Sequence, residues 1–232
     1  MLHALEPGLN MPGAAATLKR VGSVLLVVGL IDIGVMVWCI ARGLNYSSSF
    51  NVFAVIAGLL MRRGNLRVAA WVHWYAVFML AVFTTLALAS PLLWPIDLAL
   101  TQLRLHTVQS LAGLLLLAGV IAFLLWLIRQ CACEPMQRAM SGAGQRLRDM
   151  RVPTVLGAGL VLVIAALLAA WHGGETAQQA IDMAERQLGA GYRFHVGDID
   201  TWPHGNGQSI VATVTAWSAS EIKEVVVRWD EQ

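Results

Sequence analysis

The apolar and polar positions of this chain fall into long unbroken hydrophobic blocks followed by a mixed, alternating tail. The blocks cover residues 21–40, 46–61, 68–90, 107–128 and 152–171. Continuous apolar runs of about 18–20 residues predict helices that cross a hydrocarbon core. The pattern therefore predicts an α-helical polytopic membrane protein with five transmembrane helices between residues 21 and 171. The second block is short and opens on the polar "YSSSFN", so the alternative count is four spans with a re-entrant second segment. Between the third and fourth blocks, residues 91–106 stay greasy. Pro95 and Asp97 suit a helix start there, and Trp94, Ile96, Leu100 and Leu103 suit an interfacial helix or a floor for the tail.

After Trp171 the pattern changes. "TAQQ" has the form of a capping box with Thr176 as N-cap and Gln179 reaching back. Ala177, Ile181, Ala184 and Leu188 then form one apolar stripe of a helix, which Gly189 and Gly191 stop. Alternation follows in Tyr192, Phe194 and Val196, then across 210–217, then in Val225, Val227 and Trp229. "DTWPHGNG" reads as a loop, and Asp198 and Asp200 as turn residues. Residues 172–232 thus predict a small α+β domain of one helix and a three-stranded antiparallel meander. Its sheet face would leave Val211, Trp217 and Val226 as a partner surface, for another protein or a second copy of the chain.

Composition agrees with the pattern. Of 232 residues, 57% are hydrophobic and 13% charged, against about 25% charged in soluble domains. The Lys and Arg residues sort by loop. The N-tail (residues 1–20), the 62–67 loop and the 129–151 loop hold ten, while the opposite loops hold only Arg42 and Arg104. By the positive-inside rule this predicts a cytoplasmic N-terminus and an extracytoplasmic tail, in a bacterial-type inner membrane. It also accounts for the net charge of +2 without a nucleic-acid partner. The first block reads as a retained anchor, since "WCIARGLN" offers no small-x-small cleavage site.

Candidate chemistry is sparse. Cys39 falls on the other side of the predicted bilayer from Cys131 and Cys133, so no disulfide framework is expected. No histidine or cysteine spacing matches a metal motif, and neither metal nor cofactor is expected. The two intramembrane polar candidates are Asp32, about 16 Å into the first span, and His73 in "WVHWY" of the third. Gly29 and Gly34 flank Asp32, and small residues allow helices to pack closely, so Asp32 reads first as a hydrogen-bonding group across a helix interface. The sequence predicts a non-enzymatic scaffold, assembly or sensory accessory protein. Its alternative is a small proton- or ion-coupled transporter or channel subunit using Asp32 and His73.

Overall fold

The computed structural model describes residues 12–44, 50–144, 149–189, 191–204 and 207–231. Positions 46–49 of the predicted second span, and Arg146 and Arg148 of the basic loop, lie outside the described residues. The chain is mostly helical: α1 (Pro12–Ala41), α2 (Phe50–Arg62), α3 (Leu66–Leu93), α4 (Ile96–Leu105), α5 (Thr107–Cys131), α6 (Glu134–Gly142), α7 (Arg151–His172) and α8 (Glu175–Leu188). Three strands follow, β1 (Arg193–His204), β2 (Gly207–Trp217) and β3 (Ile222–Glu231).

Among the described residues, four helices are long and apolar enough to cross a membrane: α1, α3, α5 and α7. The expected fifth is the 13-residue α2. It rises only about 20 Å, short of the roughly 30 Å of a hydrocarbon core. Its end is set locally. Gly64 takes a positive φ of 87°, and the Asn65 side chain accepts the N–H groups of Arg67 and Val68 at the start of α3. The longer helices also start or stop away from the predicted edges. α1 begins at Pro12, so Lys19 and Arg20 lie on the helix and not before it.

The chain divides into two compact units. The first joins residues up to Val82 with Val120–Gly157. Within it, α2 runs antiparallel to α1, and the pair meets at glycines: Gly22 and Gly58 pack backbone to backbone, with Arg62 alongside Gly22. The short helix α6 closes against the beginning of α1. Gly13 lies at Pro135, and Thr17 Oγ1 is 4.0 Å from Cys133 Sγ. Leu18, Val21, Leu25, Met61, Met136 and Met140 are fully buried here. The start of α1, the end of α2 and the start of α6 therefore share one end of this unit.

The second unit joins Phe83–Gly119 with Ala158–Gln232 and contains the α+β domain. Its sheet has the order β1-β2-β3, antiparallel throughout. Helix α8 lays Ala177, Ala180 and Ala184 on one face, over Val196, Ile199, Ile210, Ala212, Val214 and Val227. Alanine on the helix and Ala212 beneath it let the backbones approach closely, which keeps a small core free of voids.

Two local expectations are corrected. The N-cap of α8 is Gly174, with no side-chain cap, so Thr176 lies inside the first turn. Glu175 supplies the acidic charge that the helix start favours. "DTWPHGNG" is largely strand, because β1 continues through Asp200 to His204 and pairs with β2 as far as Gly207. The register shifts between Val196 and Asp198, where Gly197 makes a bulge. One extra residue inverts the in–out alternation, so Val196 and Ile199, three apart, both point into the core. Asp198 and Asp200 are thus strand residues and exposed.

Candidate functional site

In the first unit, Asp32 is half-buried on α1. Its level follows from the glycine contact. Eight residues along each helix from Gly22 and Gly58 lead to Leu30 and to Phe50, the first residue of α2. Asp32 stands about 3 Å beyond Leu30 along the axis. It therefore lies just past the level of Phe50, the first described residue of α2.

His73 is 3% exposed and packs inside the first unit. Neither ring nitrogen has a hydrogen-bond partner among the described residues. The Ile128 backbone of α5 is close enough to act on the ring without completing a bond. Asp32 is consequently not the hydrogen-bond partner of His73. Cys131 is buried and Cys133 half-buried, both as free thiols, and no cluster of three metal-ligating side chains occurs among the described residues.

In the second unit, the three sheet residues part company. Val226 is 63% exposed. Val211 is half-buried, between Asp200 and Arg228 in register. Trp217 is 5% exposed and is not part of an open surface. It lies opposite Arg193 and Ile222 at the end of the sheet that lines a common cavity with α4. Arg193 pairs with Asp97 of α4, and two cavities of about 430 and 610 Å³ flank that helix. The first is lined by Asp97, Thr101, Arg104, Arg193, Trp217 and Ser218, among others. Trp94, Gln102, His106, Thr215 and Glu224 help to line the second. Residues 96–105 form the expected helix beside these cavities, with Leu98 buried and Ile96 and Leu100, like Trp94 just before the helix, exposed.

The Asp97–Arg193 pair is the feature that sequence reading missed. The two residues are 96 positions apart, and only the helix-start signal at Asp97 marked either one. At the β2–β3 turn a second cluster joins Tyr192, Glu221 and Lys223. The Tyr192 hydroxyl and the Lys223 ammonium both donate to Glu221, which holds its carboxyl below the usual range. The same contacts, with Glu221 foremost, raise Lys223 above the usual lysine range. The arrangement straps the turn to the start of β1.

No known protein family, curated protein or solved structure matches this chain.

Proposed function

We propose that the chain is a non-enzymatic integral protein of a bacterial-type inner membrane that scaffolds, assembles or senses through its C-terminal domain. In this reading the basic end of the first unit, with Lys19, Arg20 and Arg62, is cytoplasmic, and the α+β domain is periplasmic. The chain returns to the cytoplasmic side along α2 although that helix is too short to span by itself. The observation that carries the reading is the division of one sheet face. At its Trp217 end the sheet and α4 line a common cavity and Trp217 is buried, while Val226, together with Trp202 on β1, stays exposed. A partner protein or a second copy would dock on this open half.

The test is purification from native membranes in mild detergent, comparing the full chain, a truncation after Gly173, and Val226→Glu. A stoichiometric partner, or a homo-oligomer, that is lost in both variants is the expected result. If all three forms retain the same state, the sheet face is not the recruiter. The second reading, a proton- or ion-coupled transporter subunit, is favoured by one observation, the burial of His73 with no completed hydrogen bond at either ring nitrogen among the described residues. Loss of function in Asp32→Asn or His73→Gln, with assembly intact, would select it.

A further inference from the structure

The cavity between α4 and the β1 end of the sheet has a composition of its own. Arg104 and Arg193 contribute two guanidinium groups, Asp97 one carboxylate, and Trp217 an aromatic wall. Arg193 is engaged with Asp97, whereas Arg104 takes part in no ion pair among the described residues. The Thr101 hydroxyl donates to the Asp97 carbonyl at 2.8 Å, which leaves its oxygen lone pairs but no proton for a ligand. The cationic donors open to a ligand are therefore the Arg104 fork and the part of the Arg193 fork that Asp97 does not use.

The two arginines and one carboxylate leave the cavity with one net positive charge. A singly charged phosphodiester matches it, whereas a phosphomonoester brings roughly −1.5 to −2 near neutral pH and would leave charge uncompensated. Guanidinium forks suit the paired oxygens of such a group. A volume of about 430 Å³ admits more than a bare ion. The exposed Ile96 and Leu100 of α4, with exposed Trp94 just before the helix, place apolar side chains fit for an acyl region beside the polar recess.

We infer that this recess, formed by Arg104, Arg193 and Trp217, binds the phosphodiester headgroup of an anionic phospholipid. The inference rests on the membrane reading proposed above. Asp97 acts as an internal competitor, because it holds Arg193 when the lipid is absent. Binding draws Arg193 partly away from Asp97, which couples the seat of the domain on α4 to the lipid around it.

The experiment is calorimetric titration of the full chain in neutral maltoside micelles, with dihexanoylphosphatidylglycerol and separately with inorganic phosphate. One saturable site for the lipid is expected. Arg104→Gln should weaken it about tenfold by removing a charge-assisted fork. Asp97→Asn should tighten it several-fold by releasing Arg193. Opposite shifts in these two exposed-site variants are not produced by general loss of fold. Equal saturable binding of inorganic phosphate, with the same pattern in the variants, would overturn the lipid assignment and leave a general anion site. Absence of saturable binding by either probe, or binding that neither substitution moves, overturns the proposal. The membrane reading is tested apart from it, by extracting wild-type membranes with alkaline carbonate. A chain released by carbonate refutes that reading and leaves the titration result to stand by itself.

Discussion

Gly22 and Gly58 meet where α1 crosses α2, and neither has room for a side chain. A Cβ on Gly22 would stand 2.6 Å from the Gly58 carbonyl oxygen, and one on Gly58 would stand 2.7 Å from the Gly22 oxygen. Both opposing atoms are backbone, so the helices must separate to admit a methyl group. Close approach at small residues is the main source of helix–helix affinity when lipid removes the hydrophobic drive. Gly22→Ala and Gly58→Ala should each cost about 1–3 kcal/mol, as overpacked sites do. The apparent melting temperature in detergent should fall in both, while Gly34→Ala, which meets nothing within 4 Å, should leave it unchanged.

Neighbouring valines of β3 offer an internal control. Val227 is 1% exposed beneath α8, and Val226 is 63% exposed on the other face. Val227→Ala should destabilise the domain by about 1.5–3 kcal/mol. Val226→Ala should stay within about 0.5 kcal/mol of wild type. Denaturation of the full chain, followed by proteolysis of the C-terminal domain, reads the difference.

His73 makes an opposite forecast for the two functional readings. Both ring nitrogens are buried without partners among the described residues, a burden of roughly 1–3 kcal/mol for a polar group. In a scaffold, His73→Leu should keep assembly and hold or raise thermal stability. In a transporter, the same change should abolish activity whatever it does to stability.

The strap at the β2–β3 turn predicts a response to pH. Glu221 is depressed in the fold, so its contribution is fully present above the ordinary value of 4.5 and is lost as pH falls through the lower folded value. Lys223 is raised, so its contribution is present below 10.5 and is lost as pH climbs through the higher folded value. The group is solvent-exposed, and the effect should be local to the turn. Amide exchange across 217–223, corrected for intrinsic rates, should loosen below pH 4.5; Glu221→Gln should be loose at neutral pH and lack the acid step.

The alternating core of β2 and β3 and the apolar blocks were legible because each depends on a local period. Ile210, Ala212, Val214 and Val227 are buried as their alternation predicts. The helix over 96–105 was legible too, since Pro95 and Asp97 mark its start whatever surrounds it. Three features were not readable in that way. Gly197 shifts the phase of β1, so the alternation seemed to end where the strand in fact continues. Trp217 is buried and shares a cavity with α4, which lies more than a hundred residues earlier in the chain, and no local period encodes that proximity. The 13 described residues of α2 are as apolar as a full span, so composition did not mark their extent.

The closure of α6 on α1 also has a consequence for the order of synthesis. The α1–α2 hairpin joins residues close in sequence and is able to form as soon as Arg62 has left the ribosome. The other flank of α1 waits for Pro135 and Cys133, the latter 116 positions beyond its partner Thr17. Long loops close late. Until then Ala14 and Leu18, buried in the finished unit, have no cover from α6. A nascent chain halted before residue 134 would therefore carry a complete hairpin with an open seam, a natural target for an insertase or a quality-control protease.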